Sequence, residues 1–170
     1  VCWKAVCEKG AVNMSCVAWD GYSIAADKQA DREGLKYQHT KLFGFGLEAL
    51  AYTGRADYGA ALIEWYKNGA DPAKWPEFQK DKEDWTRLIV AKAEGVVSYD
   101  QVPYPLPYDV KFHAWGEGRD FAIAAMDLGL TAKQAVEVAC RHCSSCGFGV
   151  DEIVLRERPE RNFATRSDSS

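Results

Sequence analysis

Apolar residues in this chain recur with two different periods, and the period changes in blocks rather than element by element. Residues 15–19 and 22–27 read as two short strands joined at Asp20-Gly21, a strong hairpin signal. Strands are expected again at 35–45 and 47–52. The period then turns helical, with Tyr58, Leu62 and Trp65 or Tyr66 on one face and Asn68-Gly69 as the stop. A loop with a short helix is expected over 71–82, followed by a hairpin of 86–93 and 96–99 about Glu94-Gly95. Pro103, Pro105 and Pro107 predict an extended connection poor in ladder bonds, because proline lacks the donor that a central strand needs. A strand at 110–115, helices at 119–127 and 132–143, and a strand at 150–156 complete the pattern. Thr131-Ala-Lys-Gln134 is a capping box that announces the second of these helices.

Strands and helices that come in runs predict an α+β sandwich, since a doubly wound parallel sheet would alternate them one by one. No run can bury its apolar face alone, so layers must share the burial. The 170 residues, 47% of them hydrophobic and 27% charged, suit one domain with a core and exclude a disordered chain. Residues 1–13 have no clear period and precede Met14, and 157–170 are charged and nearly free of apolar residues. The domain is therefore expected over 14–156, between an N-terminal extension and a frayed tail.

Charge and chemistry exclude several functions. The 21 basic and 25 acidic residues are interspersed, giving a net charge of −4 and no basic stripe for a nucleic-acid backbone. Apolar runs fall far short of the roughly 20 residues that cross a bilayer, so a soluble cytoplasmic protein without a membrane partner is expected. None of the strings G-x-S-x-G, G-x-x-x-x-G-K-[ST], H-E-x-x-H or G-x-G-x-x-G occurs, and no cofactor is expected. Cys2, Cys7, Cys16, Cys140, Cys143 and Cys146 sit at the two ends of the chain. Cys140, Cys143 and Cys146, with Cys2 and Cys7 or His142, have a spacing that a thiolate metal site would use. Small apolar residues on a helix face and in the turn after it explain the same spacing, because buried free cysteine behaves as a small hydrophobe.

Four strings carry a more specific signal: Met14-Ser-Cys-Val-Ala-Trp-Asp-Gly-Tyr-Ser-Ile-Ala-Ala-Asp27, His39-Thr-Lys41-Leu-Phe, Ala51-Tyr-Thr-Gly54-Arg-Ala-Asp57 and Ala114-Trp-Gly116-Glu-Gly118-Arg-Asp-Phe-Ala122. In order and spacing they resemble the proteasome β-type and HslV branch of the N-terminal nucleophile (Ntn) hydrolases, including the short bacterial and bacteriophage copies. The resemblance runs from Met14 to about Leu155 and implies a four-layer αββα sandwich of two antiparallel sheets flanked by helices. It implies amide hydrolysis by a first residue that is both nucleophile and base. A hydroxyl is a weak nucleophile until a base takes its proton, and a free α-amine with a pKa near about 8 can do so.

Ser15 aligns with the nucleophile, exposed if Met14 is the initiator and is removed. Lys41 and Asp27 match the cation beside the nucleophile and its carboxylate partner, and Gly54 matches the glycine whose N–H faces the oxyanion. Cys16 is a second candidate nucleophile one residue on. Glu117 replaces the supporting serine of the Gly-Ser-Gly string, and Cys143 and Cys146 coincide with a later aspartate and serine. The resemblance further implies a homo-oligomeric ring, a peptide or unfolded-protein substrate and service by an ATP-dependent unfoldase. Two other functions fit the sequence: a non-catalytic ring or scaffold subunit that keeps its N-terminal extension, and a cysteine-rich metal-binding protein.

Overall fold

The computed structural model describes residues 15–77 and 86–159. The expected extension over 1–13, and the tail from 160 on, lie outside the described residues. In chain order the elements are β1 (Cys16–Trp19), β2 (Ser23–Asp27), β3 (Gln29–Arg32), β4 (Leu35–Gln38), β5 (Leu42–Phe45), β6 (Glu48–Thr53), α1 (Ala56–Lys67), a 3-10 turn (Pro72–Lys74), β7 (Arg87–Lys92), β8 (Gly95–Tyr99), β9 (Leu106–Pro107), β10 (His113–Gly116), α2 (Arg119–Asp127), α3 (Ala132–His142) and β11 (Val150–Val154).

Strand alternation builds the layers. One antiparallel sheet has the order β10-β1-β2-β11 and the other β5-β6-β7-β8-β9. Val17, Trp19, Ile24, Ala26 and Trp115 of the first sheet face Leu42, Ala49, Ala51, Ile89, Ala91 and Val96 of the second. The alternate residues point outward, as a period of two requires. Cys16, Ala18, Ala25 and Ala114 pack under α2 and α3, whereas Leu50, Tyr52, Leu88 and Val90 pack under α1 through Leu62, Ile63 and Trp65. The result is the expected four-layer αββα sandwich. Its α2–α3 interface is alanine-rich, with Ala122, Ala125, Ala132, Ala135 and Ala139 buried, which lets that helix pair lie close on the sheet.

Several local expectations hold. Gly21 takes a positive φ of 85° in the β1–β2 turn, and Asp20 Oδ1 accepts the N–H groups of Tyr22 and Ser23 at 2.9 Å each. The capping box of α3 is complete, with Thr131 Oγ1 accepting from Gln134 N–H at 3.2 Å and Gln134 Oε1 from Thr131 N–H at 3.0 Å.

Other expectations need correction. The single strand expected over 35–45 is two strands in different sheets, broken at His39 to Lys41. Its first half pairs with β3, a strand the hydrophobic pattern does not reveal. Gln29, Ala30, Asp31 and Arg32 make a two-stranded ribbon that is largely exposed, so no apolar alternation is needed there. The strand expected over 110–115 is β10, starting at His113, because it pairs only along the four residues of β1, Cys16↔Gly116 to Trp19↔His113. Likewise β11 ends at Val154 because its partner there, Ser23, begins β2. Helix α3 stops at His142, and Cys143 is its cap in an extended conformation.

Candidate active site

The site forms where β1 begins and β2 ends, at the edge between the two sheets. Antiparallel pairing in the β1–β2 hairpin sets Asp27, at the end of β2, against the first residues of β1. Asp27 Oδ1 accepts Cys16 N–H at 2.8 Å. Its Oδ2 accepts Gln29 N–H at 3.0 Å and Gly147 N–H at 3.2 Å. The carboxylate is fully buried.

Lys41 is the cation that such a buried carboxylate requires. The break at His39 to Lys41 turns the chain out of the β3–β4 ribbon and into the second sheet, and Lys41 lies at the step between them. His39 N–H still donates to Lys28 O at 2.7 Å, while Lys41 O accepts from Tyr52 N–H at 3.3 Å across β5–β6. Lys41 Nζ lies 2.9 Å from Asp27 Oδ1, with the lysine side chain only 3% exposed. Two charges so far from water are tolerated because the carboxylate has four donors and the pair is in direct contact.

Ser15 is held by its backbone and is itself fully buried. Its carbonyl accepts Gly118 N–H at 3.3 Å. Gly116 has φ 92°, and a Cβ there would lie 2.1 Å from Ser15 O. Gly118 is equally cramped, since a Cβ would come within 2.7 Å of Cys146 Sγ and 2.8 Å of Cys16 Cβ. Both glycines of Gly116-Glu-Gly118 are thus required by close approach to the start of β1. The next N–H along, that of Cys16, is the one on Asp27, so Ser15 is one peptide unit from the buried ion pair. Gly54, with φ 103°, follows β6 beyond Tyr52, whose N–H is bonded to Lys41. That left-handed backbone suits glycine and turns the chain at the strand end nearest the pair.

The structure therefore brings Ser15, Asp27 and Lys41 together and sets Gly54 at the end of the adjoining strand. The thiols of the candidate supporting set pack in the apolar layer under α2 and α3, near enough for Cys146 to interact electrostatically with Asp27. Cys16 points into the layer beneath α2 and α3. Cys146 is hydrogen-bonded to Cys16, and that bond together with burial pushes its thiol far up. Burial likewise raises Cys143, with lesser contributions from Cys146 and, least, from the half-buried Glu117, and pushes Cys140 up to about 12. Thiols raised in this way are protonated near neutral pH and are poor nucleophiles. Among the described residues no group of three or more His, Cys, Asp or Glu is arranged to hold a metal. Cys2 and Cys7 lie outside the described residues.

The sequence did not point to Gln29, His39 or Gly147 as parts of this site. His39 is lowered by partial burial and by Lys41 beside it, and its ring makes edge contacts with Tyr37 and Tyr52 at 6.2 and 6.3 Å. Gly147 belongs to the loop after α3, which docks on the end of β2: Lys28 N–H donates to Gly147 O and Gly149 O at 3.0 and 3.1 Å. A glycine-containing stretch following Cys143-Ser-Ser-Cys146 is the one signal in the sequence that a backbone close approach occurs there.

The same architecture recurs in solved structures of other proteins. Thiobacillus denitrificans BPH matches with a TM-score of 0.64 and 20% identity, over 86% of this chain and 99% of that one. Eukaryotic HslV from Trypanosoma brucei matches with 0.63 and 18%, over 84% and 99%. The chain has an HslV-like fold. A structure of Thiobacillus denitrificans BPH in complex with epoxomicin also matches, at a TM-score of 0.62 and 17% identity over 85% of this chain and 99% of that one. No protein-family profile and no curated protein matches the sequence. No described helix is long and apolar enough to cross a membrane.

Proposed function

We propose that this HslV-like chain is a proteasome-like peptidase of the N-terminal nucleophile class, with Ser15 as its nucleophile. The observation that carries this reading is the buried Lys41–Asp27 pair, joined through Cys16 N–H to the start of the strand that Ser15 leads. An interior charge pair of this kind costs desolvation and is weak support for stability alone, so its placement beside a hydroxyl residue points to chemistry.

Once the peptide bond before Ser15 is opened, the α-amine accepts the Ser15 hydroxyl proton as Oγ attacks a substrate carbonyl. Fixed positive charge on Lys41 favours the neutral amine and steadies negative charge developing near Oγ. Gly54 N–H faces the oxyanion. Collapse of the tetrahedral intermediate leaves an ester on Ser15, and the amine passes its proton to the departing nitrogen. Water, deprotonated by the same amine, cleaves the ester and restores the hydroxyl. Cys16 serves the site by its N–H on Asp27, and no metal or cofactor enters a step. Peptides or unfolded chains are the proposed substrates of a cytoplasmic homo-oligomeric ring, with an ATP-dependent unfoldase as partner and the short bacterial and bacteriophage copies as its relatives.

A non-catalytic ring subunit is the second reading. It rests on Glu117, Cys143 and Cys146, which stand where the resemblance places a serine, an aspartate and a serine.

The two readings are separated by a chain begun at Met14, so that methionine removal frees Ser15, assayed on fluorogenic peptides and for a mass increase with epoxomicin. Hydrolysis and adduct formation that both vanish in Ser15→Ala support the peptidase. An inert, unlabelled chain whose first residue is verified as Ser15 supports the second reading.

A further inference from the structure

The loop that completes the Asp27 donor set is fastened by side chains from the β3–β4 ribbon. Gln29 is 4% exposed, and its Nε2 donates to Ser144 O at 3.0 Å. Lys36, across the ribbon, donates to the same carbonyl from its Nζ at 2.7 Å. Three residues on, Gly147 N–H reaches Asp27 Oδ2 at 3.2 Å. A Cβ at Gly147 would lie 2.9 Å from Gln29 Oε1, so the backbone of the loop rests directly on the Gln29 amide. Gln29 also gives its own N–H to Asp27 Oδ2.

One residue thus grips the Asp27 carboxylate with its backbone and the loop that supplies the next donor with its side chain. We infer that Gln29 is a positioning residue for the Asp27–Lys41 pair, holding the Ser144-to-Gly147 turn in place, with Lys36 as its outer support on the same carbonyl. The inference rests on the peptidase reading for its consequence in catalysis, but not for the clamp itself.

The chemistry explains why an amide suits this position. Its N–H₂ donates to a carbonyl while its oxygen lies against the glycine backbone, with no net charge added beside a buried ion pair. A glutamate of the same shape would set an acceptor against the Ser144 carbonyl. Methionine would keep the volume and remove the donor. With the clamp gone, the turn loses its two-point hold, and Gly147 N–H spends more time away from Asp27. The carboxylate then has fewer fixed donors, and Lys41, which shares it, is less firmly placed beside Ser15. Substrate contacts are untouched, so the effect falls on turnover rather than on binding.

The test has two independent arms on the full chain. Amide exchange at Gly147, followed by NMR, is expected to quicken about tenfold in Gln29→Met, the size of one lost hydrogen bond of roughly 1.4 kcal/mol, while exchange in the strand cores stays unchanged. Lys36→Met, an exposed change that leaves the fold intact, is expected to quicken it two- to threefold and keeps the test valid if Gln29→Met fails to fold. In the second arm, peptide hydrolysis with the Ser15 amine free is expected to lose about tenfold in kcat with KM unchanged for Gln29→Met, and more for Gln29→Glu. Unaltered Gly147 exchange in both variants overturns the clamp, whatever the activity. Quickened exchange with an unaltered kcat overturns the positioning role. A wild-type chain with no hydrolysis defeats the peptidase reading instead, and the exchange arm then decides the clamp alone.

Discussion

The β1–β2 hairpin carries an aspartate at each end, and the two have nearly the same set of partners. Asp27 accepts N–H groups from Cys16, Gln29 and Gly147 and contacts Lys41. Asp20, in the turn, accepts N–H groups from Tyr22, Ser23 and Ala132 and contacts Arg158. The difference lies in the cation and its surroundings. Arg158 is 38% exposed, stacks over the Tyr22 ring and helps tie residues after β11 to the turn. Lys41 is 3% exposed beside the first residue of β1. An aspartate that binds a helix N-terminus and a surface arginine fastens elements together, and a half-exposed partner contributes little more than that. An aspartate that holds a lysine in the interior carries, besides any fastening, a desolvation cost that fastening alone does not require. The same donor set is a fastening at one end of the hairpin and, on the present reading, a catalytic support at the other.

Removing the cations is the sharpest way to break this contrast. Lys41→Met is expected to lower peptide hydrolysis about a thousandfold and, because it leaves a carboxylate buried without its cation, to cost roughly 3–5 kcal/mol in denaturant unfolding. Arg158→Met leaves hydrolysis unchanged and costs less than about 1 kcal/mol.

Gly116→Ala comes next in size. The new Cβ meets Ser15 O at 2.1 Å and the residue has φ 92°, so a loss of about 1–3 kcal/mol from backbone strain is expected, measured by thermal unfolding. Hydrolysis falls further than stability does, because the displaced atom belongs to the proposed nucleophile.

Smaller still is Asp20→Asn, which is expected to cost about 1–2 kcal/mol at neutral pH while sparing activity. Burial alone would raise the Asp20 carboxyl, but Arg158 and the N–H groups of Ser23, Ala132 and Tyr22 together hold it below its ordinary value. A carboxyl lowered on folding adds stability above its unfolded pKa of about 4 and loses that stability as the pH falls through the folded value. The stability gap between wild type and Asp20→Asn should therefore narrow below about pH 4 in urea titrations at stepped pH. A gap that widens there would contradict the sign.

These expectations mark what the sequence made legible. Asp20-Gly21, the capping box at Thr131 and the Glu94-Gly95 turn of the 86–99 hairpin announced their elements because each rests on local chemistry. The ribbon of β3 and β4 was hidden, since the one buried side chain of Gln29 to Arg32 is the polar Gln29 and an apolar alternation has nothing to report. The break at His39 to Lys41 was hidden for a related reason: apolar residues continue on both sides of it, and only tertiary pairing separates Leu35–Gln38 from Leu42–Phe45. In the site, Ser15, Asp27, Lys41 and Gly54 could be named because they fall in strings that resemble a known family. Gln29 and Gly147 meet across more than a hundred residues, and no spacing in the chain encodes that meeting.

The central claim is that the Lys41–Asp27 pair serves a free amine on Ser15, and selective acetylation of that amine tests it most directly. A chain with Ser15 as its verified first residue should hydrolyse fluorogenic peptides, and acetylating the amine, with lysines left unmodified as checked by mass, should abolish the activity. Hydrolysis at the same rate before and after acetylation would contradict the account.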